Sequence, residues 1–328
     1  MPSLGTYVGR RLLQAIPLVA AAIVLNFVLI HLAPGDPART LAGESGAATP
    51  EYVEQLRREF GLDRPLWEQL AVYVGKVARA DLGYSYRHRQ SVAGLIAERL
   101  PATLLLMGAS LVLAVVGGVF LGVIAARRRG TWLGTAISVG SLVAYATPMF
   151  WFGLMLIVVL SVKLRWLPTY GMATIGSGAT GLAYALDVAW HSVLPVTTLG
   201  LFYLALYTRL ARVSMLEILT QEFITVARAK GLAEWRVVGY HGLRNALLGV
   251  VTMVGMQMAQ LVGGSVVVET IFAWPGMGRL VFEAVAQRDY PMLLGVLLVS
   301  SLTVVVMNLV TDVAYGLLDP RVRHGARA

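Results

Sequence analysis

Six stretches of the chain, Leu12–His31, Ala102–Ala126, Thr131–Val162, Val188–Thr208, Asn245–Val268 and Tyr290–Thr311, contain no Asp, Glu, Lys or Arg. Each reaches the roughly 20 residues that a helix needs to cross a hydrocarbon core about 30 Å thick. The third stretch is longer than one crossing requires and carries Pro148 midway. It reads as one tilted or kinked helix, because neighbouring helices can re-satisfy the backbone around a proline in a membrane. The first stretch follows Arg10-Arg11, as a signal peptide would, but its apolar part is too long and no small-x-small cleavage site precedes Pro34-Gly35-Asp36-Pro37. A retained helix is expected there.

Between these runs the pattern changes to that of amphipathic helices. In the segment 32–100, Pro50–Phe60 places Tyr52, Val53, Leu56 and Phe60 at helical spacing behind Thr49 as N-cap, with Gly61 to end the helix. A second stretch, Pro65–Ala80, carries Leu66, Leu70, Tyr73, Val74 and Val77. A small extracytoplasmic helical cap is predicted, either contacting an arriving partner or packing only on this chain. The loop Ala211–Asn245 holds Leu216, Leu219, Phe223 and Val226 at three- and four-residue spacing, predicting a helix over Val213–Ala229, a break at Gly231 and a second helix over Ala233–Tyr240. From periodicity alone, this pair is either an elbow inserting into another protein or an amphipathic surface lying on lipid headgroups.

Composition agrees with a membrane solvent: 57% hydrophobic and 14% charged over 328 residues, against about 25% charged in soluble proteins. The net charge of +9 is mainly a topology signal. Arg10, Arg11, Arg127, Arg128, Arg129, Arg209, Arg212, Arg228, Lys230, Arg236, Arg244, Arg321, Arg323 and Arg327 all fall on one side if the N-terminus is cytoplasmic. The two short outer loops hold only Lys163, Arg165, Arg279 and Arg288. Both termini are therefore expected inside, and no nucleic-acid partner is expected. Cysteine is absent, which excludes disulfides and thiolate chemistry, and the five histidines are scattered without a metal-binding spacing.

Polar residues within or at the ends of the apolar runs are the candidates for a solute pathway: Asn26, His31, His191, Gln257, Gln260, Asn308 and Asp312. Asn26 and the glutamines read more readily as bridges between helices, and for His31, His191 and Asp312, near the span ends, interfacial solvation is the default. Met253, Met256 and Met258 offer a soft lining or ordinary packing. Gly117-Gly118 and Gly263-Gly264 permit close helix approach.

The inner loop reads Glu222-Phe-Ile-Thr-Val-Ala-Arg-Ala-Lys-Gly231, followed by His241-Gly-Leu-Arg-Asn245-Ala. It resembles the EAA loop of binding-protein-dependent ABC importer permeases, in its peptide-importer form. Leu32-Ala-Pro-Gly-Asp-Pro37, Leu167-Pro-Thr-Tyr-Gly171, Val268-Glu-Thr-Ile-Phe-Ala-Trp-Pro-Gly-Met-Gly278, Arg288-Asp-Tyr-Pro291 and Leu317-Leu-Asp-Pro-Arg321 agree in order and spacing, so the likeness covers nearly the whole chain. It is strongest to the first permease subunit of dipeptide and oligopeptide importers. Thr225 and Val226 stand where the generic motif begins E-A, and His241-Gly-Leu-Arg244 replaces its I-x-L-P site.

The resemblance implies an all-α polytopic protein of the type I importer permease fold, with both termini inside. Its parts would be 1–31 (first crossing), 32–100 (extracytoplasmic helical loop), 101–318 (five-helix core with the coupling loop 211–245) and 319–328 (tail). Implied partners are a homologous second permease subunit, two ATP-binding subunits that carry ATP and Mg2+, an extracytoplasmic substrate-binding protein, and membrane lipid. No cofactor is expected on this chain, which has no G-x-x-x-x-G-K-[ST] phosphate loop. Coupling to the ATPases would fall to Glu222, Thr225, Ala227, Arg228, Ala229, Lys230, Gly231, Leu232, His241, Arg244 and Asn245. Gly231 is expected to need positive φ at a tight turn. Asp36, Glu269, Trp274 and Pro275 are candidates for a binding-protein contact or gate loop. The same motifs occur in relatives that would carry nickel chelates, glutathione or other solutes. A secondary transporter is the remaining alternative, although neither an inverted repeat nor a mid-span charge is evident.

Overall fold

The computed structural model describes residues 4–32, 49–59, 63–85 and 87–318. The motif containing Asp36, the predicted stop at Gly61 and the tail beyond 318 lie outside them. The chain forms α1 (Leu4–Leu32), α2 (Pro50–Glu59), α3 (Leu66–Ala78), a two-stranded hairpin of β1 (Tyr84–Ser85) and β2 (Gln90–Ser91), α4 (Val92–Arg127) and α5 (Trp132–Ala146). Then follow α6 (Met149–Leu156), α7 (Gly181–Leu219), α8 (Glu222–Ala229), α9 (Glu234–Arg236), α10 (Arg244–Ile271), α11 (Met277–Gln287) and α12 (Tyr290–Leu318). Among the described residues, five helices are long and apolar enough to cross a membrane, or six if the bent pair of α5 and the helix after it is one crossing.

That bent pair corrects the expectation of one kinked helix. α5 stops at Ala146, and the chain turns by 102° before continuing through α6 into a wide π-helical segment, Ile157–Lys163. Pro148 has no N–H to donate to the turn before it, and it forces Thr147 out of the helical region to φ −77°, ψ 126°. Thr147 then closes α5 by donating both its N–H and its hydroxyl to the Val143 carbonyl.

The chain divides into two compact units, one of residues 1–102 and 276–309, the other of 103–275 and 310–328. In the first, the two helices predicted for the outer segment are present. The Tyr52 N–H meets Thr49 Oγ1 at 3.4 Å at the start of α2, as the capping pattern requires. α3 turns Leu70, Tyr73 and Val77 inward and leaves Leu66 and Val74 exposed, so its buried stripe is narrower than predicted. It packs on α1, where the Phe27 and Tyr73 rings lie 6.1 Å apart and His31 sits between the Phe27 carbonyl (2.8 Å) and Gln69 (3.1 Å).

The core of this unit combines Val92, Leu95 and Ile96 of α4, Met277, Leu280 and Ala284 of α11, and Met292 and Val296 of α12. α11 falls in a stretch for which the sequence pattern predicted no helix. Arg288, left-handed at φ 58°, ends it, and the buried Asp289 then caps α12 by accepting from the Met292 N–H at 3.1 Å. The other oxygen of Asp289 accepts from the buried Ser85 hydroxyl, which ties the hairpin to the start of α12.

In the second unit α7 is central and packs on α5, α6 and α10. It also crosses α4 so closely that a Cβ at Gly118 would lie 2.6 Å from Tyr207 Cβ and 2.8 Å from the Leu204 carbonyl oxygen, and one at Gly122 2.6 Å from the Thr208 carbonyl oxygen. Small residues let the two backbones meet. At the far end of α10, the fully buried Glu269 accepts from the Thr103 hydroxyl at 2.7 Å, and the Trp274 N–H bonds the Glu269 carbonyl at 2.9 Å. Gly118→Ala is expected to destabilise the purified chain in detergent by about 1–3 kcal/mol through overpacking. Gly140→Ala, at a position with open space, is expected to leave the thermal unfolding midpoint unchanged or slightly higher.

Candidate functional site

The inner loop forms a tight elbow. α7 ends at Leu219, where Thr220 donates its hydroxyl to the Glu217 carbonyl at 2.8 Å and Gln221 adopts an extended conformation, φ −72°, ψ 150°. α8 restarts at Glu222, so the single helix predicted over Val213–Ala229 is in fact two. The two-residue break shifts the helical phase. Leu216 and Leu219 still pack inward, but Phe223 and Val226 are 43% and 51% exposed, and Ile224 and Ala227 take the buried positions instead.

α8 closes as a Schellman motif. The Leu232 N–H bonds the Ala227 carbonyl at 3.3 Å, the Gly231 N–H bonds the Arg228 carbonyl at 2.9 Å, and Gly231 has φ +74°. Leu232 completes the motif by packing with Ile224, Ala227 and Val237. An eight-residue helix is marginal by itself in water. This small core fixes it, with about 1.5–3 kcal/mol from a side chain the size of Ile224.

The predicted second helix also differs. Arg236, Val237, Leu243 and Arg244 all have right-handed helical dihedrals, so the backbone runs without a break from α9 through the π-helical segment Val237–Leu243 into α10. Gly242 within that segment lies against Met215 and Leu219 of α7. Ala126, Met215, Val238 and Ala246 form a second core beneath the elbow, joining the ends of α4, α7 and α10.

Of the sequence candidates, Ala227 is buried, Leu232 and His241 are half-buried, and Glu222, Thr225, Arg228, Ala229, Lys230, Gly231, Arg244 and Asn245 are exposed. Asn245 donates to the His241 carbonyl at 2.7 Å within the helix. Arg228 grips Glu234 across the turn, Nη2 to Oε1 at 2.9 Å and Nε to Oε2 at 3.2 Å. That hydrogen bonding holds the guanidinium above its ordinary pKa. Phe223, Val226 and Trp235, the last 68% exposed with the Arg236 guanidinium 5.0 Å from its ring centre, give the elbow an outward apolar surface. Of these three the sequence pattern put Phe223 and Val226 on one stripe with Leu216 and Leu219, and singled out Trp235 for nothing.

The pathway candidates are dispersed. Asn26 and Gln257 are buried, and Gln257 Oε1 has no hydrogen-bond partner among the described residues. Met253 is half-buried and Asn308 is exposed, while the side chains of Met256, Gln260 and Asp312 lie outside the described residues. The cleft at the Pro148 break is lined by Val143, Ala146, Thr147, Pro148, Phe150 and Trp151, none of them among those candidates. Glu269 and Trp274 are wholly buried and Pro275 is half-buried. His191, for which interfacial solvation was the default, is buried beside Asp187 at 3.2 Å. Asp187 also accepts from the Thr174 N–H at 2.6 Å and the Thr174 hydroxyl at 2.9 Å, pinning the outer loop to α7.

The family model for the inner membrane component of binding-protein-dependent transport systems matches residues 118–324, and the model for the N-terminal part of the membrane component matches 5–107. The chain belongs to that family. Its relatives include a putative peptide permease protein of Brucella suis, 42% identical over 97% of this chain and 98% of the relative. A di/tripeptide transport system permease protein of Pseudomonas aeruginosa is 40% identical over 97% and 99%. A glutathione transport system permease protein of Escherichia coli is 41% identical over 97% and 99%. A solved inward-facing methionine ABC transporter is 19% identical with a TM-score of 0.54, covering 69% of this chain and 96% of that one, and shows the type I importer permease fold.

In this inner membrane component, Gly231→Val places a β-branched residue in the left-handed region at about 1–2 kcal/mol. The Leu232 amide, whose bond closes the turn, is then expected to exchange hydrogen about tenfold faster, while exchange in α7 is unchanged.

Proposed function

We propose that this permease and a homologous second subunit form the path by which an ATP-driven importer brings di- or oligopeptides into the cell. An extracytoplasmic binding protein delivers the solute, and two ATP-binding subunits dock on the inner face of the pair, with the elbow as this chain's contact. The observation that carries the substrate assignment is the near full-length similarity, at about 40% identity, to proteins named as peptide permeases. Glutathione is a second reading, favoured by the equally similar glutathione permease. Glutathione is itself a small peptide, so the two readings differ in side chains and linkage rather than in chemical class.

The elbow supports the docking role. It carries exposed Phe223, Val226 and Trp235 on a turn held by the Schellman bonds and a buried core. The Lys and Arg distribution puts it on the cytoplasmic side. Apolar side chains displayed on a rigid short helix suit insertion into a groove. ATP hydrolysis belongs to the partners in this reading, and this chain's contribution is to convert their movement into rearrangement of α7 and α10. The buried Glu269 and Trp274 would then hold the outer end of α10 rather than touch the binding protein.

The test is to co-express the chain with its genomic neighbours, purify the assembly and measure ATP turnover with the binding protein, alone, with peptide and with glutathione. Stimulation by the peptide-loaded binding protein is expected; stimulation by glutathione alone would move the assignment to that solute, and failure to retain any ATPase subunit would reject the importer mechanism. Phe223→Asp combined with Val226→Asp is expected to lower recovery of the ATPase subunits by about tenfold or more, as loss of apolar contact surface at a docking site does.

A further inference from the structure

The two connections of α8 are built differently. Towards α7 it is joined through the extended Gln221, with the Thr220 hydroxyl and backbone bonds on the helix side. Towards α9 it is joined by the Schellman bonds and by the Arg228–Glu234 pair, while the core of Ile224, Ala227 and Val237 is shared, with Leu232 packed on it from the turn and Ile218 and Leu219 from α7. That pair is two-pronged, with Nη2 and Nε each reaching a different oxygen of Glu234. A fork of this kind fixes the angle between its two carriers as well as their separation, which a point-charge lysine does not. Its carriers are the last turn of α8 and the first residue of the helical rod that runs unbroken from Glu234 to Ile271. Glu234 also suits the N-terminus of that rod, where an acid is favoured by the helix dipole.

We infer that Glu234 is a positioning residue for energy coupling: through Arg228 it locks α8 to the rod ending in α10, so that a push on the elbow turns α10. The inference rests on the reading of the elbow as the ATPase contact and adds the direction in which the motion travels. Arg228 belongs to the motif noticed in the sequence. Glu234 does not, and its role follows from the geometry alone.

The test uses the complete assembly in proteoliposomes with peptide-loaded binding protein and reads peptide taken up per ATP hydrolysed. Glu234→Gln and Arg228→Lys are each expected to lower this ratio by about fivefold or more, and the exchanged pair Arg228→Glu with Glu234→Arg is expected to recover most of it. A residue that only helped the chain fold would change the yield of assembled protein and leave the ratio alone. A wild-type ratio in Glu234→Gln, or an exchanged pair no better than the single variants, overturns the inference. Because the chain has no cysteine, Val226→Cys provides a separate check by disulfide cross-linking to a cysteine placed in the ATPase groove. No cross-link in an otherwise unaltered chain rejects the reading of the elbow itself. A cross-link together with an undiminished ratio in Glu234→Gln rejects only the lock.

Discussion

Lipid offers a peptide group nothing to hydrogen-bond with, and the whole architecture follows from that constraint. Within the apolar runs, the backbone satisfies itself by forming helices, and helices that must also pack against one another need small residues where they cross. Gly118 and Gly122 of α4 meet the backbone of α7 at distances that leave no room for a side chain. α7 can therefore act as the central post of its unit, and the elbow is mounted at its inner end. Side-chain hydroxyls serve the same constraint locally. Thr198 and Thr208 return their protons to carbonyls four residues earlier in α7, so that these two buried hydroxyls have acceptors.

The elbow itself obeys aqueous rules. Its helix is short, and its stability comes from a glycine in a conformation that other residues resist, from three or four apolar side chains beneath it, and from one charged pair. The buried side therefore carries the folding. Phe223 and Val226 sit one position from Ile224 and Ala227 in the sequence, yet are exposed where those two are buried.

Much of this was legible beforehand. The five long apolar helices and the stretch that forms the bent pair follow from charge-free length, and the start of α2 follows from Thr49. The positive φ at Gly231 follows from the need to turn sharply after a helix. Three features were not legible, each for a physical reason. The break at Thr220–Gln221 contains no glycine or proline, so a continuous helical period carried across it and put Phe223 and Val226 on one stripe with Leu216 and Leu219. The bend at Pro148 was expected as a kink, because a proline announces a break but not its angle. Asp187 and Asp289 act on Thr174 and Ser85, partners 13 and 204 residues away, and such pairings leave no trace in a local pattern. The shared motifs gave the candidate elbow residues. Which of those residues point outward depended on that two-residue break.

The bend at Pro148 also limits what this apolar segment can do by itself. α5 has 15 residues and so rises only about 22 Å, short of a hydrocarbon core of about 30 Å. α5 therefore cannot complete a crossing by itself. Both α5 and α6 pack on α7, a helix that follows them in the chain, so the bent pair rests on a surface that its own sequence does not contain. Its apolar composition marks it for the membrane, and the neighbouring helix settles the shape it takes there.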